Sequence, residues 1–255
     1  MSINAGNTNT AASAHWYAQR DSLSDRAERR LSECVLASSQ FRTQVPSPNR
    51  TLGSELLLLA SLENWELKID NFCLMANVSR PTGRKLVKSY LQYGLAISDD
   101  NGNLFASKAL QAACDTRARD FLNTYNETSG TSYEASCRTL SGIKHALIRT
   151  DFAANMGLLP CSTIKFVGLL AVHMGVNSAP RRTRSVIESH QNLTGEDLEP
   201  TLRRWILLGW VESSDEHFFN DRFLMPTALG TAIVKQFIAT LGSCLIKTGI
   251  PELVR

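Results

Sequence analysis

From Ala14 to Ser39 the residues Trp16, Leu23, Ala27, Leu31 and Val35 recur at helical spacing with charged side chains between them, which predicts an amphipathic helix. The polar run before it, residues 1–13, is expected to be disordered. The stretch from Gln44 to Thr51, with Pro46, Pro48 and Asn49, predicts a break, so the N-terminal helical segment is bounded at 14–45. Beyond it, Ser54 to Asn64 and Ile69 to Ala76 read as two short helices. A longer one follows, opened by Ser79 as N-cap and closed by Gly94. A short apolar stretch, Leu95 to Ile97, then the polar turn Asp99-Asp100-Asn101-Gly102, then Leu104-Phe105, predict a β-hairpin in which Asn101-Gly102 is the turn signal. Helices are expected from Ser107 to Tyr125 and from Tyr133 to Ala154, separated by a turn at Asn126 to Thr131 and ended at Gly157 and Pro160.

The same order of signals then returns. Thr163 to Met174 and Arg181 to Ser189 read as short helices, and Thr194 to Gly209 reads as a longer one. Trp210-Val211, a polar turn from Ser213 to Asp221, and Phe223 to Met225 form a second hairpin pattern, followed by a helix from Ala228 to Ile246. Residue classes correspond along with the pattern: VSRPTGRKLVKSYLQYGLA at Val78 to Ala96 and LTGEDLEPTLRRWILLGWV at Leu193 to Val211 align at a constant offset of 115 residues. Ser79 falls on Thr194, Val87 on Leu202, Lys88 on Arg203, Tyr90 on Trp205, Leu91 on Ile206 and Gly94 on Gly209. Cap, apolar stripe and terminating glycine all correspond, which predicts two copies of one unit.

Helix, helix, turn, helix, hairpin is the order of a winged helix-turn-helix. The expected fold is therefore mainly α with small β-hairpin wings. Two tandem winged helix-turn-helix domains, at 52–125 and 161–255, are expected to be joined by a helical linker at 126–160. The second copy resembles the DNA-binding lobe of the MarR-type transcriptional regulators. The likeness is carried by LTGEDLEPTLRRWILLGWV, by a wing containing Asp221-Arg222, and by FLMPTALGTAIVKQF, in which Met225-Pro226-Thr227-Ala228-Leu229-Gly230 is similar to the family's step from wing into dimer helix. It covers about 90 residues, and the family's Pro and Thr stand here in reversed order. The resemblance implies duplex DNA as partner, a homodimer, and a minor-groove role for Arg222.

The two long helices share a frame but not a surface. Arg80, Arg84, Lys85 and Lys88 lie among Thr82, Ser89 and Gln92, with no acidic residue from Val78 to Ser98. Arg84, Lys85, Lys88 and Gln92 project opposite the Leu86, Val87, Tyr90 stripe. Cations on that face can neutralise phosphates, and Arg and Gln can pair with purine edges in a major groove. On an arbitrary helix such a face is ordinary solvated surface; on the third helix of this unit it is expected to be the reader. The second copy places Gly195, Glu199, Pro200 and Arg203 at the aligned positions and opens with Glu196-Asp197. Acids suit the first turn of a helix dipole and repel DNA. Pro200 requires either a helix that starts near it or a kink. Leu207 is expected on the outward face beside Arg203 and Arg204, as for a protein contact. Arg181, Arg182, Arg184 and Arg222 remain able to meet phosphates.

Composition changes this picture little. The chain has 255 residues, 43% of them hydrophobic, and a net charge of only +3, so the distribution of charge carries the argument rather than its sum. Six cysteines without metal or disulfide spacing read as buried thiols in a reducing cytoplasm. The N-terminus lacks a signal-peptide pattern, and no apolar run approaching about 18 residues is read from the sequence, so no membrane is expected. Nucleotide-binding, hydrolase and metalloprotease motifs are absent, and the five histidines are scattered. The acidic pairs Asp99-Asp100 and Glu196-Asp197 belong to turn and cap chemistry. No enzyme, metal or cofactor is expected. The tryptophans read as core.

The chain is thus expected to be a cytoplasmic, homodimeric regulator of transcription that binds double-stranded DNA mainly through its first recognition helix, its dimer formed by the 14–39 and 228–246 helices. The other reading is a winged-helix scaffold, assembly or plasmid or phage replication protein whose helix faces bind proteins. Operator, small-molecule effector and sign of regulation are left open.

Overall fold

The computed structural model describes residues 23–38, 52–160, 163–177, 195–213 and 224–254. In chain order these form α1 (Asp25–Ala37), α2 (Leu52–Glu63), α3 (Ile69–Met75), α4 (Arg80–Gln92), β1 (Ala96–Ser98), β2 (Leu104–Ala106), α5 (Lys108–Ser129) and α6 (Cys137–Asn155). They continue with α7 (Thr163–Asn177), α8 (Gly195–Leu207), β3 (Val211–Ser213), β4 (Leu224–Pro226), α9 (Ala228–Lys247) and a 3-10 turn at Pro251–Val254. The fold is mainly helical, with two antiparallel strand pairs registered Ile97 on Phe105 and Glu212 on Met225. Residues 1–13, the expected break at 44–51, the expected Arg181–Ser189 helix, the Thr194 cap and the turn of the second hairpin lie outside the described residues.

Local chemistry explains most boundaries. Ser79 caps α4, its Oγ accepting the Thr82 amide. At the other end Gly94, at φ +65, turns the chain out: its amide donates to Leu91 and that of Leu95 to Tyr90, the paired bonds of a Schellman cap. Gly209, at φ +67, repeats both bonds, its amide to Ile206 and that of Trp210 to Trp205. Each hairpin then returns to the same place. The amide of Ser107 donates to the Leu95 carbonyl at 2.9 Å and that of Thr227 to the Trp210 carbonyl at 3.0 Å, and each of these residues caps the next helix.

Three expectations are corrected. The first helix does not run unbroken from Ala14, because Ser24 is extended (φ −66, ψ 151) and caps α1, its Oγ accepting from Ala27. The expected turn at Asn126–Thr131 is largely helix: α5 continues to Ser129 and ends at the left-handed Gly130. Asn126 braces the following loop instead, accepting the Tyr133 amide at 2.9 Å and donating to its carbonyl at 3.0 Å. The first hairpin forms with its turn at Asn101-Gly102, as expected. Among its turn residues only Gly102 has positive φ, and Asp99 organises the loop by accepting the amides of Asn101 and Asn103. Finally, α9 is long and apolar enough by length and composition to cross a membrane, though 61% of that stretch is buried within the protein.

Two apolar clusters form the core. The smaller joins α2, α3, α4 and the first hairpin to Leu110 and Cys114 of α5 and to Ile148 and Phe152 of α6. The larger joins α1, α7, α8, the second hairpin and α9 to the remainder of α5 and α6. The 126–160 segment expected as a linker therefore lies inside both cores, and α5 crosses the boundary expected at residue 125.

The duplication extends beyond the aligned helices. The buried positions of α5 are Leu110, Cys114, Arg117, Ala118, Phe121, Leu122 and Tyr125; at an offset of 120 residues they fall on Gly230, Val234, Phe237, Ile238, Leu241, Gly242 and Leu245, all buried in α9. The packing is reciprocal. α1 packs on α5 as α6 packs on α9, α5 on α6 as α9 on α1, and α2 on α6 as α7 on α1. Even one ion pair repeats with its charges exchanged: Lys144 of α6 meets Asp115 of α5 at 2.6 Å, and Glu28 of α1 meets Lys235 of α9 at 3.8 Å.

Candidate nucleic-acid interface

α4 sits on a platform made by α2 and α3. Tyr90 is buried at its centre, and the turn from α3 is closed by Asn77, which adopts φ +51 while the Val78 amide reaches back to Cys73. This leaves the opposite side of α4 open. Arg84, Lys85, Lys88 and Gln92 are all exposed, and the three cations have no acidic partner among the described residues.

The other residues expected on this face divide. Arg80 is exposed but tied to Asp70 of α3, Nε to carboxylate at 2.9 Å, so its charge is partly neutralised within the protein. Thr82 belongs to the cap, its hydroxyl 2.9 Å from that of Ser79. Ser89 is half-buried and its carbonyl accepts the Tyr93 amide at the helix end. The hairpin beside α4 is acidic at Asp99-Asp100. Hydrogen bonds from the side chain and backbone of Asn103 hold the Asp99 carboxyl below its ordinary pKa, so it stays ionised and shapes the loop. Tyr93, just beyond α4, and Ile97, on a strand of only three residues, are exposed and were not singled out by the sequence pattern.

In the second half Trp205 is buried and Arg203 and Arg204 are exposed, as expected. Pro200 lies inside α8 rather than at its start, exposed, in a helix that runs from Gly195 through Leu207. Glu196, Asp197 and Glu199 fall in the first turns of that helix, which are therefore acidic where those of α4 are basic. Leu207 is 87% exposed and Leu208 44%, and Met225 on β4 and Leu229 at the start of α9 are exposed as well. Arg181, Arg182, Arg184 and Arg222 lie outside the described residues, as do Trp16, His15, His190, His217 and Cys161.

Behind α4, a polar seam fixes α2 to α6. Glu63 accepts from Arg149 Nε at 2.7 Å and meets His145 Nε2 at 2.5 Å, and Glu55 accepts from Asn155 at 2.9 Å. Burial alone would raise the Glu63 pKa, but the hydrogen bonds from His145 and Arg149 outweigh it and hold the carboxyl below the ordinary range. Nearby, Arg117 of α5 and Asp151 of α6 form a buried pair at 2.5 Å. Burial pushes the thiols of Cys114 and Cys244 up, to about 12 and about 11, and holds them protonated. Cys137 departs from the expectation of buried thiols and is exposed. No family model matches the chain, and no curated protein and no solved structure matches it either.

Proposed function

We propose that the protein is a non-enzymatic, duplex-DNA-binding regulator of transcription acting in a reducing cytoplasm. In this reading each half carries a winged helix-turn-helix of the MarR type, and α4 is the helix that enters the groove. The observation that carries it is the open face of α4: Arg84, Lys85, Lys88 and Gln92 stand exposed together, free of acids, on the third helix before a hairpin. Cations there neutralise phosphates and release counterions, while Arg84 and Gln92 have the donors and acceptors that distinguish purine edges. Gly94, Gly209 and the repeated return bonds after each hairpin support one shared architecture for both halves.

The test is binding of the purified chain to random-sequence and genomic duplexes across a salt series. The logarithm of the affinity should fall linearly with the logarithm of salt concentration, with a slope of about 0.9 per phosphate neutralised. Absence of binding, or binding indifferent to salt, overturns the proposal. A second reading, a scaffold or replication protein that docks other proteins, is favoured by one observation, the exposed Leu207, Leu208, Met225 and Leu229 of the second half.

A further inference from the structure

We infer that a single chain is the complete DNA-binding unit, a two-fold pair fused in one polypeptide, and that its target is an unsymmetrical duplex site bound by one chain. The inference rests on the proposed reading of α4 and goes beyond it by naming the form of the site.

Two beads on a string would each close on themselves, with α1 against α2 and α6 against α7 as the main contacts. Here the first helices are exchanged. α6 packs on α2 of the other half and α1 packs on α7 of the other half, while α5 meets α6 as α9 meets α1. A contact in which element a of one copy meets b of the other, and b meets a in return, is the isologous contact of a two-fold dimer. The Asp115–Lys144 and Lys235–Glu28 pairs occupy equivalent places with opposite sense, so the halves complement each other rather than themselves.

Within the described residues, the stripes that led to the expectation of a homodimer are covered by this arrangement. Leu31, Cys34 and Val35 of α1 and Phe237, Ile238 and Leu241 of α9 are buried in the shared core. Fusion also removes the need for identical halves. A dimer of identical chains reads a palindrome because both reading helices are the same; this chain carries a basic α4 in one half and an α8 with acidic first turns and Pro200 in the other. One half-site is then specified and the other is not its mirror.

Selection from a short duplex pool with a randomised centre, followed by light scattering of the chain alone and on the enriched duplex, tests this. The expected result is a monomeric mass at micromolar concentration, one chain per duplex, and an enriched motif without dyad symmetry. That motif should vanish in the full chain carrying R84A, K85A and K88A and persist with R203A and R204A. A dimeric free chain, two chains per duplex, or a palindromic motif overturns the fused pair and leaves DNA binding standing. Failure to bind any duplex overturns the proposed function, and this inference with it.

Discussion

Where both are described, the two halves of the molecule share helix ends and hairpin returns and differ in what they place on them. Tyr90 and Trp205 fill the same position, Gly94 and Gly209 end the same helix, and Ser107 and Thr227 cap the same exit. The agreement even reaches the second helix, where Gly53 lies against the Tyr90 ring and Gly168 stands at the same offset from Trp205. Yet the exposed face of α4 is cationic, whereas α8 opens with acids and ends in exposed leucines. Positions that hold the backbone are constrained by packing, where a methyl group matters. Positions that face water carry no such packing constraint, so the two helices can differ there while the backbone stays the same.

The largest expected effect is on binding. Replacing Arg84, Lys85 and Lys88 with Ala should lower the salt slope by about one unit for each phosphate left unneutralised and cost about 1–3 kcal/mol for each base edge no longer read, measured by fluorescence anisotropy. Replacing Arg203 and Arg204 should do much less. Equal effects would place both halves on the duplex and dissolve the contrast.

A second comparison concerns the junction. Arg117 pairs with Asp151 in a buried site, while the position related to it at an offset of 120 residues is Phe237. Arg117→Ala leaves Asp151 buried without its cation and should cost about 3–5 kcal/mol in urea unfolding. Arg117→Met with Asp151→Leu, which makes this junction apolar like its counterpart, should recover most of that stability. If the double variant is as unstable as the single one, the pair does more than neutralise itself.

Gly230 offers a sharper contrast, because its first-half counterpart is Leu110. A Cβ on Gly230 would stand 2.0 Å from the Trp210 carbonyl oxygen, a backbone atom with little freedom to yield. Gly230→Ala should therefore destabilise by about 1–3 kcal/mol, seen as a lower midpoint of thermal unfolding. An unchanged midpoint would mean that α9 shifts freely against the second hairpin.

The smallest effect is one of pH. The folded-state pKa of Glu63 is depressed by His145 and Arg149, so its contribution to stability is present above the ordinary carboxyl value of 4.5 and is lost as pH falls through the lowered folded value. Glu63→Gln should be less stable near neutrality and should lose less on acidification, by urea midpoints measured across that range. Parallel acid limbs in both proteins would assign the acid sensitivity to other carboxylates.

Much of this molecule was legible in the sequence because local rules act over a few residues. Ser79, Ser107 and Thr227 announce caps, Gly94 and Gly209 announce ends, and the Val87, Tyr90, Leu91 pattern announces a helix with one buried side, so α2 through β2 and α8 through α9 were placed to within a few residues. The exposed basic face of α4 follows from the same periodicity. Errors arose where a side chain acts at a distance: Asn126 looks like a turn former until its amide is seen to hold Tyr133, and Arg80 looks free until Asp70 of α3 comes beside it.

The order of elements, their repetition and the charge along α4 and α8 could be read directly from the residues, since all three depend on neighbours in the chain. How the repeats embrace is set by packing between distant parts of the chain. The apolar stripes of α1 and α9 fit a partner chain and this chain's other half equally well. A stripe encodes how much area must leave water, and which surface covers it is decided by tertiary packing, here within the chain.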